Sequence, residues 1–370
     1  AKLPEWAAAD GIVYPPRLSM EQCSSEATAK YKAKVLGDGG WVLADTFIDL
    51  TGGFGVDFSY MARGFRKAVY VERQPHLCET ARHNFRLLGL DNAEVVCGDG
   101  VEYLKSLNPP SPITHHPSSV IIYLDPARRD EHGKKTYAIS DCTPDVTALK
   151  DLLLEKAGLV MVKLSPMLDW HKAVEDLQDV LEVHIVSVDN ECKELLMVLQ
   201  KNPTEPLRVV CVNIRHDGTT ERFEFKDAFL RCDRRTPDGS AAGLSPVGWE
   251  WGFLFEPNAS VMKAGCFAEV ASRFGVKPVG SNSHLFLSPQ SIPDFPGRQF
   301  RIEQVTSLNK KELKHALSGI TKANITVRNF PMPVAELRKR LKLADGGDTY
   351  IFATTLGNID HVLMITKQIF

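Results

Sequence analysis

Two short stretches of this sequence hold residues whose types and spacing suit work on one ligand. The first is Asp49-Leu50-Thr51-Gly52-Gly53-Phe54-Gly55-Val56-Asp57. Glycines at this density let a backbone turn sharply and approach a bound molecule closely. A helix opening after Gly55 would add free N–H groups and a partial positive charge suited to a carboxylate. Asp49 could hold an ammonium group beside it, so Asp49, Thr51, Gly52, Gly53 and Gly55 together suit an amino-acid moiety. Glu72, in Val71-Glu72-Arg73, could accept both hydroxyls of a ribose, and Arg73 is grouped with it. Asp99, in Gly98-Asp99-Gly100, could accept from an adenine amino group, with a helix N-cap as its other role. The second stretch is Tyr123-Leu124-Asp125-Pro126-Ala127-Arg128-Arg129-Asp130. In a rigid Asp-Pro turn, the Asp125 carboxylate and the Pro126 carbonyl can accept hydrogen bonds from an exocyclic amino group. That localises the nitrogen lone pair and aims it at an electrophile; for an in-line displacement, positioning is most of the catalysis. Asp125, Pro126 and Arg128 are the candidate catalytic residues. Arg128 and Arg129 could also stack on a base or clamp phosphate. Lys163 and Ser165, in Lys163-Leu164-Ser165-Pro166, are candidates to line the acceptor pocket. Asp189-Asn190-Glu191 shares that expectation with a plain structural turn.

These residues need elements to carry them. From residue 47 to about 200 the sequence alternates short β-branched runs (47–50, 68–72, 94–97, 120–125, 159–164, 183–188) with amphipathic stretches (56–64, 75–88, 101–107, 144–155, 168–180). Such alternation predicts an α/β fold with a doubly wound parallel sheet. The last strand is followed, after residues 189–191, by another apolar run at 194–200 with no room for a crossover helix, so that pair must be antiparallel. A parallel sheet closed by one reversed hairpin is the arrangement of class I methyltransferases rather than of ordinary NAD-binding domains. The glycine loop agrees, being GGxG without the third glycine of GxGxxG. The Asp-Pro corner is expected two strands from the glycine loop. Residues 20–36 read as a helix, and 208–214 and 221–225 as two strands joined by His216-Asp217-Gly218. Residues 231–247 read as a linker, 249–288 as a small α/β piece, and the remainder as strands from 297, at 324–327, 349–356 and 361–365 with helices at 308–317 and 334–341. The expected divisions are an N-terminal helical segment (1–45), the main α/β domain (46–230) and two small α+β modules (248–295 and 296–370).

Bulk properties bound the function. A chain of 370 residues is too long for one ordinary core. The net charge of -2 hides an asymmetry: residues 301–342 carry ten Lys and Arg against three Asp and Glu, or +7, leaving -9 on the rest. That points to a basic module on an acidic body. The eight cysteines are scattered without a CxxC pair, which argues against a zinc site or a disulfide framework and fits a reducing, cytoplasmic setting. His115-His116 reads as part of a Pro/Ser-rich connector, and no histidines stand at metal-ligand spacing, so no metal is expected. No apolar run reaches the ~18 residues of a membrane span. Nothing in the sequence speaks to oligomeric state.

The segments FIDLTGGFGVD, YVERQ, GDG and YLDPARRD, in this order, resemble class I S-adenosylmethionine (SAM)-dependent methyltransferases. More closely, the chain from about Met20 to Phe370 resembles a bacterial methyltransferase family with a ferredoxin-like insert and a C-terminal THUMP-like domain. The match includes EQCSSEATAKYKA, KLSPMLD, NECKELL, LFEPNAS and KANITVRNFPMPVAELRKRLKL. The glycine-loop and Asp-Pro segments also resemble bacterial 16S ribosomal RNA guanine-N2 methyltransferases. The resemblance implies SAM as cofactor and a base amino group in structured RNA, rRNA or tRNA, as acceptor. Ala127 and Arg128 stand where the usual amino-methyltransferase pattern has Pro and a stacking aromatic. A small-molecule or protein acceptor is therefore the alternative, and a non-catalytic RNA-binding protein on a SAM-binding scaffold is a third reading. THUMP domains are associated with RNA-modifying enzymes, and the basic helix around Arg338, Lys339 and Arg340 is consistent with phosphate contact.

Overall fold

The computed structural model describes residues 2–15, 23–39, 45–108, 120–128, 139–227, 252–357 and 360–369, with backbone only at Arg128 and Asp227. The chain divides into two compact units, Ala1–Val210 with Ile214–Thr220 and Lys226–Phe229, and Cys211–Asn213 with Glu221–Phe225 and Leu230–Phe370.

The first unit opens with α1 (Pro4–Ala8) and α2 (Glu26–Asp38). The expected helix at 20–36 starts at Glu26 because the Ser25 side chain accepts the Thr28 N–H and caps it. Then follow β1 (Thr46–Asp49), α3 (Val56–Met61), β2 (Lys67–Glu72), α4 (Pro75–Leu87), β3 (Ala93–Cys97), α5 (Gly100–Ser106), β4 (Val120–Leu124), the short β5 (Ala127–Arg128) and β6 (Cys142–Thr143), and α6 (Val146–Lys156). β7 (Leu159–Leu164), α7 (Trp170–Leu177), β8 (Val180–Val188), β9 (Glu191–Leu199), β10 (Leu207–Ile214) and β11 (Thr220–Asp227) complete the series. α7 is shorter than the 168–180 expected: Asp169 caps its start, and Gln178 and Asp179 take φ of 52° and 41°, which ends it.

The large sheet has nine strands in the order β11-β10-β8-β9-β7-β4-β1-β2-β3. β1 runs parallel to β2 and β4, β2 to β3, and β4 to β7. β9 lies antiparallel between β7 and β8. Asp189 and Asn190, at φ 48° and 62°, make the tight hairpin turn that leaves no room for a crossover. The mostly parallel sheet with a reversed hairpin is the arrangement expected from the sequence. The central strands are buried on both faces, which is why β4 (VIIYL) and β7 (LVMVKL) are nearly unbroken apolar runs.

The second unit contains β12 (Phe253–Pro257), α8 (Ala259–Ala264), α9 (Phe267–Phe274), β13 (Lys277–Pro278), β14 (Phe286–Ser288), β15 (Gly297–Thr306), α10 (Lys310–Ala316), β16 (Asn324–Arg328), α11 (Val334–Leu341), β17 (Thr349–Leu356) and β18 (Asp360–Gln368). The strands form a single seven-stranded sheet, β13-β14-β12-β15-β18-β17-β16, so residues on either side of position 296 share one sheet. The seam is β12 against β15. There Glu256 is buried and paired with both Arg298 and Arg328. Gly297 is required at the seam, since a Cβ would lie 2.2 Å from the Glu256 carbonyl oxygen. Leu313 and Ala316 of α10 and Leu337 and Leu341 of α11 join Ile351, Ala353, Leu363 and Ile365 in one core. The expected linker, 231–247, lies outside the described residues.

Candidate active site

Loops at the C-terminal ends of β1, β2, β3, β4 and β7 enclose a cavity of about 940 Å³. Open α/β sheets bind ligands at this end of their strands. The glycine loop forms one wall. Gly52 lies over the Tyr70 ring so closely that a Cβ would sit 2.3 Å from it, and Gly53 and Gly55 adopt φ of 56° and 83°, which glycine tolerates best. The Tyr70 hydroxyl donates to the Gly53 carbonyl from beneath. Trp6 of α1 is fully buried against Phe54, with ring centroids 4.8 Å apart, and backs the loop.

Asp49 is buried and its Oδ1 accepts the Thr51 N–H at 2.9 Å and the Thr51 hydroxyl at 3.3 Å. Burial pushes its carboxyl well above the usual carboxylate range, against the Thr51 N–H, and the negative charges of Asp57 and Asp125 add to the rise. The two Glu72 carboxylate oxygens each accept one backbone N–H, from Gly53 and from Gln74, both at 2.9 Å. Each oxygen keeps lone-pair capacity for a further donor. Asp99 caps α5, its Oδ1 accepting from Val101 at 2.8 Å and Glu102 at 3.1 Å, and it also lines the cavity. Arg73 lines it too.

The Asp-Pro corner is the facing wall, and it stands nearer than expected. β4 is the immediate neighbour of β1, not two strands away. The Asp125 N–H donates to the Thr51 hydroxyl at 2.6 Å, which pins the corner to the glycine loop. The Asp125 carboxylate receives the Lys163 ammonium at 2.5 Å. Pro126, Lys163 and Ser165 line the cavity with it. Arg129 lies outside the described residues, and of Arg128 the backbone is seen, paired in β5 with Cys142. Asp189-Asn190-Glu191 serve as the hairpin turn and do not line the cavity, although Lys193 does.

Behind the corner lies a set of charges that the sequence did not reveal. Lys32 of α2 is fully buried, with its ammonium 2.6 and 2.8 Å from the two Glu194 oxygens and 3.2 Å from Asp57 Oδ1. Asp57 Oδ2 accepts the Ser24 and Tyr123 hydroxyls, each at 2.8 Å, and lies 3.9 Å from the Lys163 ammonium. Burial opposes the charge on Asp57, but Lys32 and Lys163 hold its carboxyl below the usual range. Burial likewise opposes the charge on Lys163, and Asp125, Asp57 and Glu194 outweigh it and raise its pKa. Asp57 was visible as the last residue of the glycine motif. Glu194 is the first buried residue of β9, at the head of the apolar run Leu195–Leu199. Lys32 gave no signal, since KYKAKV reads as an ordinary solvated helix face.

In the second unit Arg338, expected to face phosphate, is instead held within its own module. It donates to the Ala323 and Ala344 carbonyls, both at 3.0 Å, and pairs with Asp345 at 2.6 Å. Arg340 donates to the Leu308 carbonyl at 3.4 Å. Lys310, Lys311 and Lys314 on α10, with Lys339 and Lys342 at α11, are exposed, and none has a carboxylate partner among the described residues. No group of His, Cys, Asp and Glu that could hold a metal occurs among the described residues. No described helix is long and apolar enough to cross a membrane.

Comparison with known proteins gives a model of a ferredoxin-like domain at residues 253–296 and one described as THUMP domain-like at 297–368. No curated protein matches the chain. A solved candidate methyltransferase from Porphyromonas gingivalis W83 is 32% identical, with a TM-score of 0.81, over 99% of this chain and 86% of that one. A candidate RNA methyltransferase from Pyrococcus horikoshii is 12% identical, with a TM-score of 0.36, over 53% of this chain and 92% of that one. An O-methyltransferase of Bacillus cereus in complex with SAH is 12% identical, with a TM-score of 0.34, over 53% and 86%.

Proposed function

The chain belongs to the family of the Porphyromonas gingivalis methyltransferase candidate, and from that premise we propose that it is a SAM-dependent methyltransferase acting on a base amino group in structured RNA. The observation that carries this reading is the 2.6 Å hydrogen bond between Asp125 N–H and Thr51, which sets the glycine loop and the Asp-Pro corner on one cavity.

The residues fit SAM. Asp49, a buried carboxyl whose ionised form a cation would stabilise, would take the ammonium group. The backbone at Gly52, Gly53 and Gly55, which carries no side chains, leaves room for the methionine carboxylate. Glu72 would accept the ribose hydroxyls, with Arg73 at the rim, and Asp99 Oδ2 the adenine amino group while Oδ1 caps α5. When bound, SAM supplies a methyl group on a positively charged sulfur. Asp125 and the Pro126 carbonyl would accept the two N–H bonds of the acceptor amine and turn its lone pair toward that methyl. Lys163 holds the Asp125 carboxylate fixed in direction, and Ala127 and Ser165 line the pocket beside it. Exposed lysines of the THUMP-like module, Lys339 among them, would meet phosphate. The exposed Ala127, in place of the usual Pro, favours a second reading in which the acceptor is a small molecule or a protein side chain.

The test is transfer of tritiated methyl from SAM to RNA from a strain lacking the protein, followed by nucleoside mass spectrometry. An N-methylated base is expected. Binding of SAM without incorporation into RNA would remove the RNA acceptor, and no heat of binding at millimolar SAM would remove the enzyme.

A further inference from the structure

We infer that Lys32 is a positioning residue for Asp125, acting through Asp57 and Lys163 from a helix that precedes the sheet; the inference rests on Asp125 being the acceptor-binding carboxylate. The argument is one of charge order. Asp125, Lys163, Asp57, Lys32 and Glu194 alternate in sign along the buried chain described above, three acids against two ammonium groups. The Lys163 ammonium lies between two acids, 2.5 Å from Asp125 and 3.9 Å from Asp57. Asp57 is the more buried of the two, with a side chain 10% exposed against 39% for Asp125, so on desolvation alone it has the stronger need of a cation. Lys163 nevertheless stands on Asp125. What satisfies Asp57 instead is Lys32, 3.2 Å from its other oxygen, with the Ser24 and Tyr123 hydroxyls on the first. Glu194 in turn balances Lys32 and reaches Asp125 through no direct contact.

Removing Lys32 leaves Asp57 with Lys163 as its nearest cation. Lys163 then moves onto Asp57, and Asp125 loses the contact that fixes its direction. A buried ion pair that loses one member destabilises a fold strongly, whereas exchange of both members for apolar groups is often neutral. The informative protein is therefore Lys32→Met/Glu194→Met, which removes one cation and one acid of similar length. Its crystal structure should show the Lys163 ammonium within hydrogen-bond distance of Asp57 and off Asp125. Its kcat should fall about 10²-fold, the scale of a 1 Å misplacement, with SAM affinity within about threefold of wild type. Adding Asp57→Asn removes the acid that captures Lys163, and should return Lys163 to Asp125 and most of the activity. Lys32→Arg, which keeps the charge, should retain the wild-type Lys163–Asp125 pair. A double-variant structure with that pair unchanged would overturn the inference, as would a triple variant no more active than the double. The structures need no acceptor: a wild type that binds SAM and methylates nothing would defeat the proposed function, and Lys163 would still decide this inference.

Discussion

The two units of this chain use charge in opposite ways. In the first, the charges behind the Asp-Pro corner are buried, alternate in sign and are held by short contacts; Lys32, Asp57, Lys163 and Glu194 are all inside. In the second, five lysines of α10 and α11 stand exposed without carboxylate partners among the described residues, while the arginines Arg298, Arg328 and Arg338 staple the module internally. The difference follows from what each kind of charge can do. A buried charge is weakly screened and sensitive to position, so it can orient a reacting group. An exposed lysine contributes little to stability but gives a salt-dependent attraction to a polyanion.

The comparison predicts large effects in the first unit and graded ones in the second. Asp125→Ala should lower methyl transfer by about 10²-fold or more while calorimetry shows SAM affinity nearly unchanged; full activity in that variant would remove Asp125 from the mechanism. Gly52→Ala places a Cβ 2.3 Å from the Tyr70 ring, so the loop must shift. Its cost should be about 1–3 kcal/mol in chemical denaturation, with weaker SAM binding; a variant of wild-type stability would show that the loop is not packed as described.

The pH response of Asp49 sharpens the buried side of the contrast. Its folded pKa lies above the ordinary 3.8, so between the two values the folded protein holds more protons than the unfolded one. Stability from this group is therefore present at low pH and lost as pH rises through that window. SAM affinity should run the other way, rising with pH until Asp49 is ionised and then levelling. Asp49→Asn should abolish both trends in paired denaturation and binding titrations. The smallest effects belong to the second unit. Exchanging Lys310, Lys339 and Lys342 for Gln should reduce the salt slope of RNA binding by about 2 with no change in melting. Arg338→Ala should do the reverse, costing about 1–3 kcal/mol and leaving the slope alone.

How much of this was legible from sequence depended on what each residue interacts with. The parallel sheet and its reversed hairpin could be read because burial on both faces leaves unbroken apolar runs, and because the two-residue turn at Asp189-Asn190 forbids a crossover helix. The glycine loop, Glu72 and the Asp-Pro corner could be read because their chemistry lies within a few residues of a strand end. The distance between loop and corner could not, since adjacency of β1 and β4 depends on crossovers, and the Asp125–Thr51 bond joins residues 74 apart. Lys32 was hidden for a related reason. Its partner Glu194 lies 162 residues away, and nothing local distinguishes a lysine in KYKAKV that faces the core from its neighbours that face water. The contacts of Arg338 could not be read, because a basic run shows its charge but not which of its members the loop at Asp345 will take.

The most direct test is a crystal structure with S-adenosylhomocysteine. The account predicts its ammonium at Asp49, its ribose on Glu72 and its sulfur facing the Asp125-Pro126 corner across the cavity. A ligand bound elsewhere, or lying on the glycine loop with its sulfur turned away from Asp125, would contradict the claim that these two loops form one active site.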